Sequence, residues 1–202
     1  MRRHLGILFL FGISLIFGQN RDAEFILPIN VSGGGSDYDL YFGVSVNATD
    51  GYDEGIDLYA PPAPPSGFDA ALTWNFDRYF TQILASTTDE QVMDIVLQYP
   101  DDSQITVTWD NSQWGDLGDF ILQDAFGGFF ININMVDVAS STVNQGFANF
   151  DYSNVNQPVL TITNTAINTL KLNFTPSGES QSTNSPPVFT SSPVTDVLED
   201  EL

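Results

Sequence analysis

The sequence predicts an all-β fold: an antiparallel β-sandwich, immunoglobulin-like or jelly-roll-like, of about eight to ten strands. Three observations carry this. Short runs rich in Val, Ile, Phe, Tyr and Thr alternate apolar with polar residues, the two-residue period of a half-buried strand. Turn-forming residues separate the runs. No stretch of eleven or more residues holds a convincing 3.6-residue apolar period.

In chain order the predicted strands are Phe25–Val31, Tyr38–Val46, Ala70–Phe76, Tyr79–Ala85, Val92–Tyr99, Ile105–Trp109, Asp119–Gln123, Phe129–Val136, Val159–Thr163 and Thr169–Phe174. Alternation is clearest in Ile105-Thr106-Val107-Thr108-Trp109 and in Ile131-Asn132-Ile133-Asn134-Met135. Each has one apolar and one wet face, as in an antiparallel sheet packed on one side. Asp124-Ala125-Phe126-Gly127-Gly128 supplies the glycines of a hairpin. Thr87–Val96 is the nearest approach to a helix, since Thr88-Asp89-Glu90-Gln91 resembles a capped first turn, but Val92, Ile95, Val96 and Leu97 fit a strand as well.

Two segments break the pattern. Residues 50–67, DGYDEGIDLYAPPAPPSG, form an acidic loop running into a proline-rich stretch of polyproline II character. Residues 176–187, PSGESQSTNSPP, have linker composition and mark the end of a domain spanning 19–175. Residues 188–202 then begin a new alternating strand, which reads as the front of a further domain in a longer protein.

Residues 1–18, MRRHLGILFLFGISLIFG, have the layout of a secretory signal peptide: a basic start, an apolar run from Leu5 to Phe17, and the small residue Gly18. That run is shorter than the roughly 20 residues a membrane-spanning helix needs. The expectation is an exported protein, secreted or held at the cell surface, with no membrane insertion after cleavage. The 202-residue chain has no cysteine, so the fold must rest on its apolar core rather than on disulfides.

Charge narrows the functions further. There are 26 acidic residues against 5 basic ones, a formal charge of -21, and the single histidine is His4. Nucleic acids and anionic membranes are implausible partners, because both need clustered Lys and Arg. A histidine base, a thiolate nucleophile, or zinc held by His and Cys has no residues to use. Excess acid also keeps a surface hydrated in salt and discourages self-association. Arg78 is most simply a partner of neighbouring Asp77, and Lys171 falls on the wet side of its strand.

Two candidate sites emerge. Asp37, Asp39, Asp50, Asp53 and Asp57 set carboxylates among glycines, and hard cations such as calcium take six to eight oxygens from flexible loops. The spacing is not that of an EF-hand, and the alternative is a solvated acidic surface. The second is aromatic: Trp74, Trp109, Trp114, Tyr99 and Phe126 offer rings for stacking on sugars. Trp109 shares a face with Ile105 and Val107 and belongs to the core. Trp114, in a Gly/Asp/Asn-rich turn, is the ring expected to be exposed and to bind a glycan. A carboxylate pair for glycoside hydrolysis is conceivable, but so many acids make chance pairs inevitable, and the expectation is that the chain is not an enzyme.

Two passages carry resemblances. Phe42-Gly43, Ala48-Thr49-Asp50-Gly51-Tyr52-Asp53, Gly55, Asp57 and the Pro61-Pro62-Ala63-Pro64-Pro65 run, with Thr108-Trp109-Asp110 and Asp124-Ala125-Phe126-Gly127-Gly128, resemble a β-sandwich module of large exported proteins of marine and Bacteroidetes-like bacteria. The likeness spans roughly residues 25–175 and implies no particular activity. Asn184-Ser185-Pro186-Pro187-Val188-Phe189-Thr190-Ser191-Ser192-Pro193-Val194-Thr195 with Glu199-Asp200 is similar to the opening of a cadherin-like bacterial repeat. That resemblance implies a role for Glu199 or Asp200 in calcium binding between domains. The combined expectation is a non-catalytic structural or adhesive module, stiffened by calcium, with other domains of the same chain and cell-surface glycans or proteins as partners. A carbohydrate-binding module is the alternative.

Overall fold

The computed structural model describes residues 23–100 and 104–177. The signal segment 1–18, residues 178–187 of the linker and the cadherin-like start at 188–202, with Glu199 and Asp200, lie outside the described residues. The strands are β1 (Ala23–Gly33), β2 (Ser36–Ser45), β3 (Leu58–Tyr59), β4 (Asp69–Trp74), β5 (Asp77–Ala85), β6 (Gln91–Gln98), β7 (Ile105–Thr108), β8 (Gly118–Asp124), β9 (Ile131–Asn134), β10 (Thr142–Val143), β11 (Ala148–Asp151), β12 (Val159–Ile162) and β13 (Thr169–Pro176). The fold is all-β, as the alternation predicts. All ten predicted segments form strands, and three pieces of two to four residues, β3, β10 and β11, raise the number to 13. Such short pieces cannot display a period, which is why the expected eight to ten falls low. The helix-like stretch resolves as β6, with Met93, Ile95 and Leu97 buried and the residues between them facing outward.

The strands run in the order β10-β9-β8-β13-β6-β4-β5-β2-β1-β7-β12-β11, with β3 beside β5. All pairings between strands are antiparallel except β2 with β5. β5 is the corner. Its Tyr79 pairs with Leu72 of β4 and with Tyr59 of β3, and its Thr81 pairs with Tyr41 of β2 and with Leu58 of β3. A strand residue has one neighbour on each edge, so β4 and β2 occupy successive stretches of one edge and β3 the other.

Beyond this corner the two halves of the sheet face each other. Phe25 of β1 and Phe42 of β2 meet Phe120 of β8 and Phe174 of β13, with ring centroids 5.4–6.1 Å apart except for longer contacts within each layer. Burying each ring is worth about 1.5–3 kcal/mol, and edge-on or offset ring pairs add about 0.5–1.5 kcal/mol. In a chain without cysteine this aromatic centre does the cross-linking. Gly43 is required where β1 and β2 draw together, because a Cβ there would sit 2.0 Å from the Phe25 carbonyl oxygen. A second anchor lies beyond β7: Trp109 Nε1 and Asn111 Nδ2 both donate to the Met135 carbonyl, at 2.9 and 2.8 Å, and the Trp109 ring stacks on Phe150.

Candidate functional site

The acidic loop lies along the edge of β5 that β4 and β2 leave open. β3 pairs there with a bulge, since Leu58 faces Thr81 and Tyr59 faces Tyr79. Past β3, side chains take over from backbone. Asp57 Oδ1 accepts the N–H of Ile83 at 2.8 Å, and Asp50 Oδ1 accepts that of Ala85 at 3.3 Å. Asp57 Oδ2 accepts the N–H of Asp53 at 2.8 Å, and the Asp53 carboxylate takes both the N–H and the hydroxyl of Thr49. Gln82 Nε2 and Trp74 Nε1 tie in from the sheet, donating to the carbonyls of Gly51 and Asp50. Burial pushes the Asp57 carboxyl above its ordinary value, outweighing the two amide bonds that favour its charge, and the Asp53 charge pushes the same way.

Asp37 and Asp39 are not part of this loop. They stand on the outer face of β2, where Asn30 Nδ2 of β1 donates to Asp39 Oδ1 at 2.9 Å and to Asp37 Oδ2 at 3.3 Å. Among the described residues no group of three or more acidic, histidine or cysteine side chains is arranged to hold a metal ion. The five acids thus fall in two places, Asp37 and Asp39 on β2 and Asp50, Asp53 and Asp57 in the loop along β5. Sequence proximity of carboxylates is poor evidence of convergence: strand pairing separates the first two from the rest, and backbone amides occupy oxygens of the others.

The expectation for Trp114 is corrected. It is 1 % exposed and packs among Phe42 and Phe120, with centroids 5.7 and 5.2 Å away. Its polar neighbours in sequence form a turn that folds the ring inward, with Trp114 N–H donating to the Asn111 carbonyl and Leu117 N–H to that of Trp114. Trp109 is buried, as its strand face requires. Tyr99 is half-buried with its hydroxyl donating to the Ile167 carbonyl at 2.6 Å. Arg78 pairs with buried Asp69 rather than with Asp77 as the simplest reading has it, while Lys171 lies on the outward side of β13 as expected and pairs with Asp94 at 2.9 Å.

Phe126 alone of the five proposed rings is well exposed, and the reason lies in Asp124. This fully buried carboxylate accepts three backbone N–H groups at 2.7 Å each, from Phe126 on Oδ1 and from Phe130 and Ile131 on Oδ2. Gly127 and Gly128, both at positive φ, complete the turn. Phe126 and Phe129 then stand edge-on to Phe130, which stacks on Phe147.

The remaining feature is a polar sheet face that sequence reasoning did not single out. Asn30 pairs laterally with Asp39 of β2 and Thr108 of β7, and Ser32 with Asp37 and Thr106. Beyond β7, Thr108 pairs with Val159 and Thr106 with Thr161 of β12. Two adjoining hollows lie on this face. One, of about 420 Å³, is lined by residues including Asn30, Asp39, Thr108 and Asp110, and the other, of about 360 Å³, by residues including Ser32, Asp37 and Thr106. The signal was present as polar residues alternating with apolar ones at Asn30 and Ser32 of β1 and Thr106 and Thr108 of β7, but only strand order shows that these positions adjoin.

Comparison of the chain with protein-family models, with curated proteins and with solved structures found no match.

Proposed function

We propose that the chain serves as a non-catalytic adhesive module of an exported surface protein, using the outer face of β2, β1, β7 and β12 as its contact surface. One observation carries this reading. That face sets polar side chains at adjoining positions across three strands, with Asp37 and Asp39 exposed and Asn30, Ser32, Thr106 and Thr108 half-exposed. Behind the face, Ile29, Val31, Leu40, Ile105 and Val107 are buried on the opposite side of the same strands, which makes a stiff support for it. Export to the cell surface rests on the apolar N-terminal segment read from the sequence. A second reading, a carbohydrate-binding module, is favoured by the hydroxyl, amide and carboxylate chemistry lining the two hollows.

The test is adhesion of protein-coated beads under flow to surfaces bearing immobilised polysaccharides or proteins. Coating with the chain should raise retention on at least one surface, and the double variant Thr106→Arg/Thr161→Arg should abolish the gain. Retention that the variant leaves unchanged, or no gain on any surface, contradicts the proposal.

A further inference from the structure

We infer that the occupant of this face is an uncharged polysaccharide lying across the two hollows, with Asn30, Asp39 and Thr108 as its central hydrogen-bonding row and Tyr41 as a stacking platform. The inference deepens the adhesive reading and rests on it.

The row follows from register. Asp39, Asn30 and Thr108 are direct neighbours across three adjacent strands, about 4.8 Å apart in the hydrogen-bonding direction. Asp37, Ser32 and Thr106 repeat the arrangement two residues along, about 7 Å away. This is a two-dimensional grid of short polar side chains whose backbone is fixed by sheet pairing. It holds both donors and acceptors: threonine and serine hydroxyls do both, and each carboxylate has about four acceptor sites. One Asn30 amide engages one oxygen of each carboxylate and so fixes both acids while leaving acceptor capacity open. A ligand carrying many hydroxyls in fixed directions matches such a grid, because each hydroxyl also both donates and accepts.

Charge selects the kind of polyol. The grid carries acids and no base, and the two described cations, Arg78 and Lys171, are paired with Asp69 and Asp94 away from this face. Anionic polysaccharides would be repelled with nothing to neutralise them. The first hollow is an open trough rather than an enclosed cavity, and Pro28 at its margin pairs with Tyr41, whose side chain is exposed on the same face. An aromatic ring with an apolar body and a polar tip suits a sugar ring, which has both kinds of surface. A protein partner fits less well, since interfaces rely on apolar aromatic anchors at a desolvated centre and this centre is polar.

Affinity gel electrophoresis of the full chain tests the inference, using a neutral glucan, a neutral galactomannan, alginate as an anionic polysaccharide and polylysine as a polycation. At least one neutral polysaccharide should retard the wild type, equally in low and high salt. Thr108→Arg should weaken that binding by roughly tenfold or more, and Tyr41→Ala by several-fold, while Phe126→Ser on the remote hairpin leaves it unchanged. Asp39→Asn, which keeps the side-chain shape, guards against misfolding of the bulkier variant and should weaken binding without moving the thermal midpoint. The inference is overturned if no neutral polysaccharide binds, if Thr108→Arg and Asp39→Asn both bind as wild type does, or if only polylysine or alginate binds. Loss of bead adhesion in Thr106→Arg/Thr161→Arg without any neutral-polysaccharide binding would sink this ligand and spare the adhesive reading. If neither is seen, both fall.

Discussion

The carboxylate of Asp57 accepts the backbone N–H of Ile83 at 2.8 Å, so that a loop side chain closes the edge of a strand where no further strand pairs. Unpaired edges are templates for pairing with other chains. Here β3, a bulge, Asp57 and Asp50 occupy the open edge of β5 in succession. The acidic loop thus has a physical role that its composition alone leaves open.

Replacing Asp57 by Asn should destabilise the fold by about 1–3 kcal/mol, because the amide group must turn its NH₂ towards either the Ile83 or the Asp53 N–H. Denaturant unfolding in EDTA measures this with any cation removed. The variant should also show more concentration-dependent association than the wild type in sedimentation velocity.

The pH dependence of that effect has a definite sign. Asp57 has a folded-state pKa above its ordinary 3.8, chiefly through burial. Such a group favours folding most fully below the unfolded value, and this contribution is lost as pH rises through the folded value. Lowering the pH from neutral to about 4 should therefore widen the stability gap between wild type and Asp57→Asn. Denaturant titrations across that range would contradict the assignment if the gap narrowed.

Asp124→Ala removes the acceptor of three buried amides and should cost on the order of 3 kcal/mol or more. Hydrogen exchange should show Phe126, Phe130 and Ile131 among the amides that lose most protection. A loss spread evenly over the sheet would mean that Asp124 is not the organiser of the hairpin.

At the tip of the β4–β5 hairpin, Asn75 and Phe76 have φ of 49° and 73°, the signature of a type I′ turn, and Phe76 is fully exposed. A bulky residue in this backbone region is strained by about 1–2 kcal/mol. Phe76→Gly should accordingly stabilise the protein by about 1 kcal/mol, raising the thermal midpoint by a few degrees. Trp114→Ala should do the opposite, costing about 3–5 kcal/mol as a core truncation.

The fold was largely legible because strand faces write themselves into sequence: Ile105 and Val107 alternate with Thr106 and Thr108, and the burial alternates with them. β3 was not, since Leu58 and Tyr59 are two residues, too few to show a period, and pair with β5 beside the loop that Asp57 ties to the same strand. The site was less legible. Trp114 sits among Asp, Asn, Gly and Gln yet is buried, because its turn bends inward over Phe42 and Phe120. Asp37 and Asp50 look like parts of one acidic region along the chain, but the sheet carries them to different surfaces. The polar grid around Asn30 joins residues about 75 positions apart in sequence, and only the pairing of β1 with β7 brings them together.

Carboxyl footprinting tests the central claim, that this face is the contact surface, most directly. The full chain is treated with carbodiimide and a glycine ester, free and when adhered to a surface that retains coated beads, and labelling of each acid is read by mass spectrometry. The account predicts strong protection of Asp37, Asp39 and Asp110 on adhesion, with exposed Asp116 and Asp119 labelled as in the free protein. Protection of Asp116 and Asp119 with Asp37 and Asp39 unchanged would place the contact elsewhere and contradict it.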